Sequence, residues 1–275
     1  MEAQRSPIQE SVSYVLARAG FAPEIGVILG SFLGPFTERI ENRIEIPYGE
    51  IPHFLRATAP DHAGVLVLGT VGGKRVACLS GRFHRYEGYA YEQLTLPIRF
   101  LKRLGVRQTI VTNVSGAINL SYRPGDVVVL RDHIKLFGDS PLTGPNDESF
   151  GPRCPLMRSV YDPALRRLAL ELGRDMPFRV HEGVYFFFPG PQFETASEIA
   201  AARLLGGDLA GMSTVPEVIT AAHCGMPILG LSLVVNMAEG VADMPITGEQ
   251  IQAVIEDTTG PFADYIAKII ERMEG

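Results

Sequence analysis

VITAAHCGMPILGLSLVVNMA, running from Val218 to Ala238, contains no Asp, Glu, Lys or Arg, and its reading decides the fold. Its length would suit a membrane span. Against that stand His223, Gly225, Pro227, Gly230, Ser232 and Asn236, each of which would bring a polar group or a helix break into lipid. The stretch divides better into a short buried helix, a Gly-Met-Pro turn, and the strand PILGLSLVV, an apolar run of the kind that is covered on both faces. A soluble α/β protein follows.

Outward from that strand the alternation of elements continues. Ile25 to Leu29 reads as a buried strand before the turn GSFLG. Val65 to Val71 and Arg75 to Ser80 form a hairpin across Gly72-Gly73. Leu94, Ile98, Leu101 and Leu104 fall at helical spacing, with Pro97 set to kink or delay that helix. Strands are expected at Gln108 to Asn113, Asp126 to Ile134 and Val184 to Phe188, and a helix at Asp162 to Leu172. Capping boxes mark helix starts at Thr195 with Glu198, Thr214 with Glu217, and Thr247 with Gln250. The last opens a long C-terminal helix, expected to be interrupted at Pro261. Two loops are long: Phe137 to Pro155, dense in Gly, Pro and Asp as a lid or an interface element would be, and Asn236 to Thr247, which follows directly on the buried strand.

Of 275 residues, 46% are hydrophobic and 20% charged, which supports a full core and excludes wholesale disorder. The 29 Gly and 20 Pro favour shaped loops over a helical bundle. A net charge of −6 argues against a nucleic-acid partner, so an anionic ligand would need a local cluster of donors. Cys78, Cys154 and Cys224 are odd in number and lack a C-x-x-C spacing, which excludes a disulfide framework and a zinc site and fits a reducing cytoplasm. The opening MEAQRSPIQESV has no basic and apolar leader pattern. With no repeat or linker, residues 1–275 read as a single α/β domain, a central mixed β-sheet flanked by helices.

Several local patterns could carry chemistry, and each has an ordinary alternative. GSFLG at Gly30 to Gly34, with Ser31, is an anion-cradling loop or a plain tight turn. In SGRFHRYEGY an extended chain sets Arg82, His84 and Tyr86 on one face, as a phosphate and sugar site or a solvated polar face. TNVSGAIN, with Val114 and Ser115, lines a site or merely ends a strand, and His62 in DHAG is a ligand or a turn histidine. GMSTVPEV puts Met212 and Ser213 at a helix start, where free amides attract anions. Phe193 and Glu194 lie in GPQFETASE, where the acid could simply balance a helix dipole. Asn236 ends an apolar strand, and a buried amide there needs partners.

In combination and in this order, GSFLG, DHAG, GRFHRYEGY, TNVSGAIN, DHIKLFGDSPLTGPND, EGVYFFFPGPQFET and GMSTVPEV resemble the purine nucleoside phosphorylases of the trimeric, low-molecular-mass class. The resemblance implies phosphorolysis of purine nucleosides (inosine, guanosine and their 2′-deoxy forms) to free base and (deoxy)ribose 1-phosphate, in purine salvage. It implies that Ser31, His62, Arg82, His84, Val114 and Ser213 hold phosphate. Tyr86, Ser115 and Met212 would contact the sugar side, Phe193 the purine face, and Glu194 and Asn236 the base edge. His84, Glu194 and Asn236 become the catalytic expectations, inorganic phosphate the co-substrate, and a homotrimer the assembly, with neither metal nor organic cofactor.

The sugar end departs from the family pattern. Cys154 stands where an aromatic is usual and Gly248 where a His is usual; Met237, where a Lys is common, bears on base preference instead. A methylthioadenosine phosphorylase would require an acid in place of Asn236. A nucleoside hydrolase would show aspartate-rich calcium motifs, and a silent binding protein would have lost phosphate ligands.

Overall fold

The computed structural model describes residues 6–59, 61–242 and 247–274. Among them one mixed sheet is built from β1 (Ile25–Ile28), β2 (Glu41–Pro47), β3 (Val65–Val71), β4 (Lys74–Ser80), β5 (Gln108–Ala117), β6 (Val127–Lys135), β7 (Val180–Phe187), β8 (Leu209–Gly211) and β9 (Ile228–Met237). The strand order is β2-β3-β4-β1-β5-β8-β7-β6-β9, and β9 also pairs with β5, closing the last five strands into a ring. β1 runs parallel to β4 and β5, and β5 parallel to β9. The carboxyl ends of these four strands therefore share one edge of the sheet, where open α/β sheets place their ligands.

Helices cover both faces because the strands are apolar on both. In β4, Val76 and Cys78 belong to one buried cluster while Ala77 and Leu79 belong to the other, a strict two-residue alternation. One face is covered by α1 (Pro7–Ala19), α2 (Leu96–Leu104) and α5 (Val215–His223) through Val15, Leu101 and Val218. The other is covered by α3 (Pro163–Leu172) and α6 (Gly248–Arg272) through Ala169 and Ile266. Ile199 and Ala202 of α4 (Ala196–Leu204) pack on Phe186 and Phe188 in a smaller cluster. Val218 to Ala238 divides as expected into helix, turn and buried strand. No helix among the described residues is long and apolar enough to cross a membrane.

Four local expectations change. β5 runs on to Ala117, because its small residues Ser115 to Ala117 fit between β8 and β9. β7 starts four residues early, at Val180, where it pairs with β6. Pro261 does not interrupt α6, which is continuous across it. Proline removes one backbone donor there, and the burial of Thr259, Phe262, Ala263 and Ile266 holds the helix together. The boxes at Thr195 and Glu198 form in both directions and Thr247 accepts from the Gln250 amide, but Thr214 makes no cap. Of the loop from Asn236 to Thr247, residues 243–246 lie outside the described residues. The loop from Phe137 to Pro155 is strapped down: Arg103 donates to Ser149 Oγ at 2.5 Å, and Asn146 Oδ1 lies 3.0 Å from His223 Nε2.

Candidate active site

At the shared strand edge, the chain after β1 turns sharply against β5. A Cβ on Gly30 would meet the Asn113 Cα at 2.8 Å, so only glycine fits. The turn delivers Ser31, whose Oγ lies 3.4 Å from His62 Nε2. His62 is held neutral: burial, then electrostatic interaction with His84 and Arg82, lower its pKa to about 3.

Arg82, just beyond β4, is 1% exposed. Its Nε donates to Glu217 Oε1 at 3.1 Å, and its Nη1 donates to the Thr112 carbonyl at 2.6 Å and to Ser213 Oγ at 3.1 Å. Its Nη2 is buried with no partner among the described residues. Ser213 precedes a strained turn. The Val215 amide donates to the Ser213 carbonyl at 2.7 Å around Thr214, at φ 67° and ψ −46°. This is the rare γ-turn geometry, costly for a β-branched residue. Asn113 Nδ2 holds it by donating to Thr214 Oγ1 at 2.9 Å. Such strain clusters at ligand clamps.

His84 is oriented by Glu87, which accepts from its backbone amide at 2.7 Å and sits 3.0 Å from its Nδ1. Nε2 is thereby the ring nitrogen left free among the described residues. Burial pushes the Glu87 pKa up, but hydrogen bonds from His84 and Thr58 outweigh it and bring the value down to about 2. The His84 ring is 5.2 Å from that of His62 and stacks on Tyr86 at 4.6 Å. This row of rings leads from the anion cluster into the adjoining cleft.

That cleft, of about 190 Å³, is lined by Tyr86, Val114, Ser115, Phe193, Glu194, Met212 and Asn236, so it gathers every residue expected on the sugar and base side. Glu194 is half-buried and its Oε1 has no partner among the described residues; burial raises its pKa. A carboxylate so placed would welcome an N–H donor. Asn236 is turned into the cleft by a bulge in the β5–β9 pairing, and among the described residues Nδ2 reaches only the neighbouring Met237 carbonyl, at 2.9 Å. Ser115 reaches the wall, but its hydroxyl is bound to Ser232 Oγ at 2.7 Å.

The cleft lining also includes residues that were not anticipated, among them Phe32, Glu239 and Ile251. Phe32 has φ 65°, a conformation that a motif read as a turn does not reveal. Ile251 follows Gly248 by one helical turn, which was the available signal. A Cβ on Gly248 would meet nothing within 4 Å. Cys154 is exposed in a separate cavity beside His133, Lys135 and Arg153. Among the described residues no cluster of His, Cys, Asp or Glu could hold a metal ion.

Comparison with known proteins shows the family. The family model described as the phosphorylase superfamily matches residues 24–271. Purine nucleoside phosphorylase 1 of Geobacillus stearothermophilus is 44% identical over 98% of each chain. The Bos taurus purine nucleoside phosphorylase is 41% identical over 83% of this chain and 81% of that one. The crystal structure of Schistosoma mansoni purine nucleoside phosphorylase in complex with inosine superposes with a TM-score of 0.92 at 36% identity, covering 98% and 97% of the two chains.

Proposed function

This chain belongs to the phosphorylase superfamily and, within it, to the purine nucleoside phosphorylases; on that premise we propose how its site performs phosphorolysis. A purine nucleoside and inorganic phosphate give free purine base and ribose 1-phosphate, with inosine, guanosine and their 2′-deoxy forms as substrates. The observation that carries this is the continuity of two unlike compartments. A buried anion cluster around Arg82 opens, through the His84–Tyr86 stack, onto a cleft ending at Glu194 and Asn236.

Phosphate lies against Arg82 Nη2, Ser31, neutral His62, His84 Nε2, Ser213 and the backbone at Val114. Tyr86, Ser115 and Met212 flank the sugar, and Phe193 covers the purine. Breaking the glycosidic bond builds positive charge on the sugar and negative charge on the departing base. The phosphate dianion stabilises the first and attacks C1′ from the face opposite the base. Asn236 Nδ2, donating toward N7, stabilises the second, because a preorganised donor gains strength as charge develops. Glu194 accepts from N1–H through the oxygen that has no partner among the described residues. The departing purine anion takes up a proton, which balances the one that the phosphate hydroxyl gives up as ribose 1-phosphate becomes a dianion, and no metal or organic cofactor enters.

The exposed apolar side chains Leu136, Phe137, Leu156 and Met157 support assembly with further copies, in keeping with a homotrimer. A role in purine salvage in the cytoplasm completes the reading. The test is base release from inosine with and without phosphate. Release that depends on phosphate and yields ribose 1-phosphate upholds the proposal, and phosphate-independent release replaces it with hydrolysis.

A further inference from the structure

Glu217 lies in the first turn of α5, where its spacing from Thr214 predicts a capping partner. Its side chain turns instead to Arg82, 135 residues earlier, and Oε1 accepts from Arg82 Nε at 3.1 Å, with the two side chains 4% and 1% exposed. We propose that Glu217 is a positioning residue for phosphate, setting the plane of the Arg82 guanidinium so that Nη2 faces the bound anion. The inference rests on the phosphate reading above.

A guanidinium has five N–H groups in a rigid fork. Both Nη1 donors are engaged, by the Thr112 carbonyl and Ser213 Oγ, but contacts at one nitrogen leave the fork free to tilt about it. The Nε contact to Glu217 is the second point that fixes the plane. What remains is Nη2, buried and unpartnered among the described residues. If Arg82 served only as a charge, a buried carboxylate at hydrogen-bond distance would be a poor neighbour, since it opposes the field felt by a phosphate dianion. Its presence makes sense as orientation. It also ties Arg82 to the same helix start that carries Ser213, so both phosphate donors move as one unit.

The test titrates inorganic phosphate against the folded protein by calorimetry and measures KM for phosphate and for inosine. Glu217→Ala should weaken phosphate on the order of ten- to a hundred-fold, the scale of one charge-assisted hydrogen bond, and leave KM for inosine within about three-fold. Glu217→Gln keeps an oxygen for the Nε donor and should bind phosphate within about three-fold of the parent. Glu217→Asp keeps the charge but withdraws it by one methylene, so it should bind phosphate more weakly than Glu217→Gln. If Glu217→Ala does not fold, the Gln and Asp variants decide. Equal movement of both KM values, or Asp binding phosphate as the parent does while Gln fails, overturns the proposal. Calorimetric results in the expected order from a parent that cleaves no nucleoside would uphold Glu217 and refute the enzymatic reading instead.

Discussion

The two ends of the site are built in opposite ways. At the anion end, Arg82, His84 and Ser213 hang from strand ends and a helix start and are largely buried; Thr112 and Glu217 on other elements fix Arg82, the nearby Glu87 fixes His84, and Asn113 holds the Thr214 turn beside Ser213. At the nucleoside end, Phe193 is 61% exposed, Tyr86 is 36% exposed, and Asn236 and Glu194 hold polar atoms with little or nothing to bind among the described residues. The first end is organised before any ligand arrives. On the proposed function, the second keeps its hydrogen-bonding capacity for the substrate. Phosphate is small, fixed in shape and highly charged, and a rigid cradle suits it. A nucleoside must enter and its base must leave, and a cleft with an open wall permits both.

The strongest challenge to that contrast is to cut the anion cradle. Arg82→Met should cost about 3–5 kcal/mol of stability, since Glu217 is then left buried without its partner. Replacing Glu217 by Met as well should recover most of the loss without restoring phosphate binding, and urea unfolding of both variants measures it. A single variant no less stable than the parent would show that the cradle is not preorganised by this pair.

At the other end, Asn236→Ala should leave stability and KM for inosine nearly unchanged while kcat falls on the order of 10²–10³. Steady-state kinetics at saturating phosphate make the check. A change confined to KM would reduce Asn236 to a ground-state contact.

Acid should act on the cradle too. Folded His62 resists protonation down to about pH 3, whereas an unfolded histidine takes its proton near pH 6.5. Stability arising from that difference is complete above 6.5 and is lost as pH falls toward 3. Glu87, with a folded pKa of about 2, adds a further loss below an unfolded carboxylate value near 4.3. Denaturation midpoints at pH 7 and pH 5 should therefore differ more for the parent than for His62→Gln.

The smallest effect is expected at the sugar end. Gly248 offers no side chain, and the neighbouring cleft residue is apolar Ile251. 5′-Deoxyinosine should be cleaved within about ten-fold of inosine, the scale of one neutral hydrogen bond. A preference of several hundred-fold for inosine would reveal a donor or acceptor that Gly248 does not supply.

The sequence was most legible where local pattern and tertiary role agree. The β3–β4 hairpin, the helix-turn-strand at Val218 to Ala238 and the box at Thr195 and Glu198 are each set by neighbours in the chain. It misled where a distant partner took a residue over. Glu217 has the spacing of a cap, but Arg82 competes for its carboxylate with a buried, charge-assisted bond, and Thr214 is left in a left-handed turn. Phe32 was hidden because its role depends on a positive φ inside what reads as a glycine turn. Pro261 shows the converse, since propensity predicts a break and burial of the helix face overrides it. The residues expected in the cleft were accessible only through motif order, because no local pattern says that Tyr86, Glu194 and Asn236 meet.

The account turns on phosphate as the attacking group, and the most direct measurement is the phosphate dependence of hypoxanthine release from inosine, with the sugar product identified. The rate should rise from near zero to saturation with phosphate, with ribose 1-phosphate formed in equal amount to base. Base release at the same rate in phosphate-free buffer, with free ribose as the product, would contradict it.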